Sequence, residues 1–239
     1  MICVTGDMHG DLKRFADKKI KKLKKGDMLI VCGDFGFIWD GGKKEQKILK
    51  KIGKKKFYTL FAEGCNDNLD LIAEYPEAEF CGGTVHEISG NLKHLIRGNV
   101  YDFSGQRFFV FGGGLTKDLD IKQNAGTYYD SELANNAEIN ASLKKIAASH
   151  RKFDYIVTHE PPASIKELLG FETNQISFVH NFFEAVKKDC SFTQWFFGKA
   201  HKNKVIPPKY TCLFDGVAVI ATESDGKKKR NKKDDKQPL

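Results

Sequence analysis

Hydrophobic and polar positions alternate with two different periods along the chain. Short apolar runs at Cys3-Val4-Thr5 and over residues 28–32 and 58–61 predict buried strands. Between the first two, Leu12, Phe15, Ala16, Ile20 and Leu23 recur at helical spacing with lysines on the other face, which predicts an amphipathic helix. Residues 43–52 predict a second helix. This β-α-β-α-β rhythm implies parallel strands joined by right-handed crossovers. Residues 96–111 predict two strands around Ser104-Gly105, and Gly112-Gly113-Gly114 then breaks the chain. Residues 118–136 are polar without clear periodicity and predict a long loop. Ile139, Leu143, Ile146 and Ala147 restore a helical pattern, followed by a strand over 154–158, a helix over 177–188 and a strand over 193–197. Residues 209–214 and 217–222 flank Asp215-Gly216, a hairpin signal. No internal repeat is visible. The pattern predicts one α/β domain with mixed sheets over residues 1–222 and a basic, disordered tail over 223–239.

Composition narrows this picture. A chain of 239 residues with 41% hydrophobic and 29% charged residues is that of a globular protein with one sizeable core. No apolar run approaches the roughly 20 residues of a membrane helix, so no membrane partner is expected. The N-terminus reads as a strand rather than a signal peptide. Six cysteines at scattered positions include no CxxC pair, which points to free thiols and a reducing, cytoplasmic compartment.

The net charge of +8 is uneven: residues 13–25 and 43–56 each carry +7 and residues 224–239 carry +4, leaving the remainder acidic. Such stretches would suit nucleic acid, and Lys227 to Lys233 would pass for a nuclear localisation patch. Only five of the 39 basic residues are arginine, however, which favours solvated helix faces and a solubilising tail.

Candidate chemistry collects where strands end, as open α/β sheets lead one to expect. The first strand runs into Gly6-Asp7-Met8-His9-Gly10-Asp11, the second into Gly33-Asp34-Phe35-Gly36, and the third towards Glu63-Gly64-Cys65-Asn66-Asp67-Asn68. The strand ending at Thr158 delivers His159, and the one ending at Phe197 delivers Gly198-Lys199-Ala200-His201. Carboxylates and imidazoles converging on one rim suit Mn²⁺, Fe or Zn²⁺. Glycines beside them let the backbone turn sharply. His86, His94, His150 and His180 have no comparable context and read as surface or core histidines. Arg97 would clamp a phosphate or pair with an acid, and Asp40 would support the rim or cap a helix. Asp118 and Asp120 fall in the predicted loop, as lid or as solvated surface. The triple glycine lacks the Gly-Lys-Ser/Thr of a phosphate loop.

Taken in order, these strand-end motifs resemble the calcineurin-like metallophosphoesterases, whose pattern is D-x-H, G-D, G-N-H-(D/E), a histidine after a strand, then G-H-x-H. The stretches Asp34 to Asp40, Arg97 to Tyr101 and Phe111 to Gly114 look like a bacterial and phage branch of that family. The resemblance implies a four-layer αββα sandwich with two mixed sheets. It also implies hydrolysis of phosphate mono- or diesters by attack of a metal-activated water. By resemblance Asp34 bridges two metals, Asp7, His9 and His201 complete site one, and His159 serves site two. Three positions depart from the pattern: Cys65 stands for an asparagine ligand, Asn66 for the histidine acid, and Lys199 for a histidine ligand. Cys65 is a thiol ligand or a small filler in a turn. Asn66 would still touch substrate but cannot be a general acid. Lys199 swings away, is neutral, or lends its charge in place of a metal. Site one thus reads as firm and site two as degenerate. The alternative is a catalytically impaired relative that binds metal or a phosphate ligand, associated with nucleic acid through the lysine-rich surfaces.

Overall fold

The chain is described by a computed structural model covering residues 1–116, 119–124, 130–170 and 177–220. Strands β1 (Ile2–Thr5), β2 (Met28–Cys32) and β3 (Tyr58–Ala62) run parallel, and β1 and β2 are buried at every position. Unbroken apolar runs demand burial on both faces. A meander of β4 (Glu77–Phe80), β5 (Gly83–Ser89) and β6 (Leu92–Leu95) brings β6 back parallel to β3. The second sheet contains β7 (Asn99–Phe103), β8 (Gln106–Phe111), β9 (Tyr155–Thr158), β10 (Gln194–Phe197), β11 (Lys204–Ile206) and β12 (Tyr210–Cys212). Its order is β11-β12-β10-β9-β8-β7. The last strand, β13 (Val217–Ile220), returns to pair antiparallel with β1, so the first sheet runs β13-β1-β2-β3-β6-β5-β4.

Period-two alternation sorts the side chains into layers. Ile2, Val4, Ile30 and Leu60 of the first sheet meet Tyr101, Phe103, Phe108, Val110 and Phe196 of the second in a dry inter-sheet core. The intervening positions face outwards. Cys3, Leu29, Val31 and Phe61 pack under α1 (Lys43–Gly53) and α2 (Leu69–Ala73) through Leu49, Ile52 and Ile72. Phe109, Phe111, Ile156, Trp195 and Phe197 pack under the helices of the other side. Those are α4 (Asn136–Ala148), α5 (Ala163–Leu168) and α6 (Phe178–Asp189), while α3 (Leu119–Asn124) lies in the preceding connection. The result is the helix-sheet-sheet-helix sandwich that the resemblance implies. All six cysteines are free thiols.

Four expectations change. The helix predicted over 12–23 is two 3₁₀ turns, Leu12–Ala16 and Ile20–Lys22. The Asp17 carboxylate accepts the Lys19 and Ile20 N–H groups and stops the first turn. Six basic residues in this stretch would also repel along an α-helix. The hairpin predicted at Asp215-Gly216 does not form, because β12 and β13 belong to different sheets and the turn is a crossing between them. The stretch 118–136 holds α3 and a 3₁₀ turn, Asp130–Glu132, rather than only loop. The meander β4–β6 was not expected, since its strands interleave charged, histidine and hydroxyl residues with the apolar ones and show no unbroken apolar run. Asp118 and the basic stretch after residue 220, where the disordered tail is expected, lie outside the described residues.

One buried ion pair ties the first sheet to the loops above the second. Glu63, directly after β3, is fully buried and takes the Arg97 guanidinium on Oε1 at 2.5 Å and the His94 ring on Oε2 at 2.8 Å. Arg97 also donates to the Ser131 carbonyl, and the Glu63 carbonyl accepts the Gly113 N–H. Burial pushes the Glu63 carboxyl up, but Arg97 and His94 outweigh it and bring it down to about 2. A carboxyl depressed on folding stabilises the fold above the ordinary glutamate range and loses that contribution as pH falls through that range towards 2. Arg97→Met should therefore cost about 3–5 kcal/mol at neutral pH, the usual consequence of stranding one member of a buried pair. Urea unfolding will measure this, and the gap between variant and wild type should narrow as pH drops below about 4.5.

Candidate metal centre

Five parallel strands end on one rim, three from the first sheet and two from the second. The loops after β1, β2, β3, β9 and β10 carry Asp7/His9, Asp34, Cys65/Asn66, His159 and Lys199/His201 respectively. Four of these residues, His9, Asp34, Lys199 and His201, have φ between 42° and 63°. This left-handed region is unfavourable for side chains other than glycine, and such strain persists where the surroundings fix it. Neighbouring glycines allow the crowding. A side chain at Gly33, whose φ is +95°, would strike the His159 ring, and one at Gly198 would strike the Asp7 carboxylate.

Single ligand atoms from Asp7, His9, Asp34 and His201 all lie within 4.8 Å of one another. The two Nε2 atoms of His9 and His201 are 3.0 Å apart, and His201 Nε2 is 3.3 Å from Asp7 Oδ2. Asp7 and Asp34 are buried, while both histidines are open to solvent. Burial raises the Asp7 carboxyl, yet hydrogen bonds from His159 and His201 and the Lys199 N–H hold it below the usual range. Two oxygen and two imidazole donors, reachable from solvent and poised around one point, fit Mn²⁺, Fe or Zn²⁺.

A second group shares Asp34. Its carboxylate, the Cys65 sulfur and His159 again lie within 4.8 Å, all buried. His159 Nδ1 faces the Cys32 carbonyl at 3.2 Å, and Nε2, without a hydrogen-bond partner, points towards Asp34 at 3.6 Å. Burial disfavours a charged ring, but Asp34 and Asp7 outweigh it and raise the His159 pKa well above the ordinary value. The carboxylates thus draw positive charge to this position, as a proton if not as a metal. The Lys199 ammonium is already close by, with Nζ 2.8 Å from the Cys65 sulfur. A dication on that sulfur would face it at ~4 Å and be repelled by roughly 8 kcal/mol at an effective dielectric of ~20. The donors of the second group suit zinc, but the ammonium beside them does not.

Residues 1–203 match the family profile described as calcineurin-like phosphoesterase. The chain belongs to the calcineurin-like phosphoesterase family. No curated protein matches it, and the family match does not distinguish the branch expected from residues 34–40. Family membership carries a phosphoester substrate and divalent metals as its general expectation, and the two Asp/His/Cys groups are candidates to hold such metals. Among the described residues no helix is long and apolar enough to cross a membrane.

In this family member the predicted rim residues come together, and Arg97 does not join them. Its guanidinium is engaged by Glu63, the acid-pairing alternative, beside a separate cavity of about 430 Å³ that also receives His86 and His94. Those two rings are buried and stacked, His180 is buried against Glu160, and His150 is exposed. Asp40 accepts the Gly42 N–H in the turn just ahead of α1, which has no side-chain cap, and Asp120 is exposed on α3. Asn66 turns onto the carboxylate shared by the two groups, its Nδ2 donating to Asp34 Oδ2 at 2.7 Å and its N–H to Oδ1 at 2.9 Å.

Three supporting residues escaped the sequence reading. Asp67 accepts the Phe35, Gly36 and Gly64 N–H groups and so clasps two ligand loops together. Burial and the Asp34 charge push its carboxyl up to about 6 against those donors. The signal was present, since Asp67 fills the last position of the G-N-H-(D/E) motif. Glu160, beside His159, is buried near Lys199. Arg14 donates to the Asp7 and Phe214 carbonyls and to Thr5 Oγ1, binding the first loop to the sheet crossing. Nothing in a lysine-rich stretch singled it out.

His201 is half exposed, its side chain retaining 54% of its accessibility. His201→Ala should weaken Mn²⁺ or Zn²⁺ binding more than about 100-fold in a calorimetric titration, since even outer partners of ligands are worth 10–100-fold. The metal-free variant should unfold within about 0.5 kcal/mol of wild type.

Proposed function

We propose that this chain hydrolyses phosphate mono- or diesters at a centre with one firmly held divalent ion and a degenerate second metal position. The observation that carries the reading is the convergence of Asp7, His9, Asp34 and His201 within 4.8 Å on a solvent-reached rim. Manganese, iron or zinc suits these donors, and such an ion when bound lowers the pKa of a coordinated water and offsets charge on phosphoryl oxygens.

The chain's own groups do the rest. Asp7 and Asp34 are fixed in orientation by the donors around them. The Lys199 N–H donates to both Asp7 oxygens, and Asn66 orients Asp34. A hollow of about 470 Å³ beside His9, lined by Gly10, Gly36 and Trp39 and by Lys43 and Lys44 balanced by Asp40 and Glu45, gives room for the remainder of a phosphoester. Asn66 donates hydrogen bonds but supplies no proton to a departing alkoxide, which costs about 10²–10⁴ in rate for a poor leaving group. Activated esters are therefore the better substrates. The same feature favours the rival reading, a relative that binds metal and a phosphate ligand with turnover lost. Nucleic acid remains a less favoured partner, resting only on lysine-rich surfaces.

Assay of p-nitrophenyl phosphate and bis(p-nitrophenyl) phosphate with Mn²⁺ tests the proposal. Measurable turnover that disappears in Asp34→Asn is expected; full activity in that variant would sink the site assignment. Turnover absent from the wild type with metal bound would favour the rival. Asn66→His should accelerate hydrolysis of alkyl phosphates by about 10²–10⁴ while changing the p-nitrophenyl esters far less.

A further inference from the structure

We propose that the Lys199 ammonium takes the place of the second metal, so that the centre holds one metal ion and one fixed organic cation. The inference rests on reading Asp7, His9, Asp34 and His201 as the metal centre.

Lys199 sits in a built socket. Its φ of 63° and its N–H bonds to both Asp7 oxygens, at 3.2 and 3.1 Å, aim the side chain inwards, where only 12% of it remains accessible. Nζ reaches the Cys65 sulfur at 2.8 Å, the Leu115 carbonyl at 2.8 Å and Glu160 Oε1 at 3.6 Å. In this position the amine donates to the Cys65 sulfur and the Leu115 carbonyl and has the Glu160 carboxylate as its counter-charge. The socket itself is braced. Glu160 Oε1 accepts the Leu115 N–H at 3.2 Å, and Oε2 lies 3.2 Å from His180 Nε2.

Withdrawal of the side chain is disfavoured for the same reason. Glu160 is 1% exposed, and removing Lys199 would leave its buried charge to His180 and the Leu115 N–H alone. Swinging away and neutralisation are therefore both opposed, and the charged, inward position remains. There the ammonium occupies Cys65, one of the three donors of the second group, and repels any dication approaching Asp34 and His159. It supplies positive charge beside Asp34 on the side where the second metal would otherwise act.

Cobalt titration of the full-length, chelator-stripped chain tests this. Metal is counted by equilibrium dialysis, and sulfur ligation is read from the sulfur-to-cobalt charge-transfer absorption. The wild type should bind one Co²⁺ without that absorption, because the first group contains no sulfur. Lys199→Met should bind two, with the absorption appearing on the second equivalent and vanishing in the Cys65→Ser, Lys199→Met double variant. Lys199→Arg, which keeps a cation, should stay at one. Two equivalents in the wild type would overturn the proposal, as would a folded Lys199→Met that stays at one. Binding of no cobalt by the wild type would overturn the metal-centre reading and the proposal with it. One equivalent without phosphoester turnover would leave this inference standing while sinking the hydrolase reading. Circular dichroism checks that each variant folds; should Lys199→Met fail, the wild-type count and its absorption still decide the proposal.

Discussion

Concentrated negative charge at the junction of two sheets governs this molecule. Asp7, Asp34, Glu63, Asp67 and Glu160 are all at most 2% exposed and lie in or beside the same set of strand-end loops. Carboxylates taken out of water must be matched by donors or cations. Glu63 is matched by Arg97 and His94, Asp67 by three backbone N–H groups, and Glu160 by His180 and Lys199. Asp7 and Asp34 face each other's histidines across a gap lined by imidazoles. A divalent ion is the partner that this arrangement accommodates, and the raised pKa of His159 expresses the same demand.

The fold meets that demand by holding an uncomfortable backbone in place. Four residues of the centre adopt positive φ without being glycine, each on a loop that leaves a parallel strand. The strands are stiffened by a dry inter-sheet core and by helices on both outer faces, so the loops inherit fixed ends. Asp67 then joins the second loop to the third, and Arg14 joins the first loop to the crossing at Phe214. Among the described residues four further non-glycine positions, Cys81, Ser104, His150 and Arg151, share this conformation away from the centre, but only at the centre does it aim candidate ligand atoms.

The departures from the family pattern fall on one side of the centre and belong together. Cys65 and Lys199 contact each other, and Asn66 attaches to the carboxylate between the two groups. Glu160 gives the lysine a counter-charge that a histidine ligand would not need to the same extent. A pattern of three substitutions that build a connected set of contacts reads as one altered half-site, with the other half left intact.

The strand-end motifs made much of this legible in the sequence. Apolar runs located the parallel strands because burial on both faces leaves no polar alternation, and Asp-x-His, Gly-Asp, His159 and Gly-Lys-Ala-His marked the rim because they sit where those runs stop. Local chemistry thus located the parallel strands and the ligand-rich rim, while the sandwich, the first metal group and the three departures were legible only through the family resemblance those motifs carry. Only tertiary structure decided the rest, because each question concerned residues far apart in the chain. Arg97 became a structural pair rather than a phosphate clamp because Glu63 lies beside it, and Asp215-Gly216 became a crossing because β1 captures the last strand. The state of Lys199 was likewise open in one dimension. Cys65, Leu115 and Glu160 close it by meeting the amine from three separate loops, and the charge balance of a buried site depends on all of them at once.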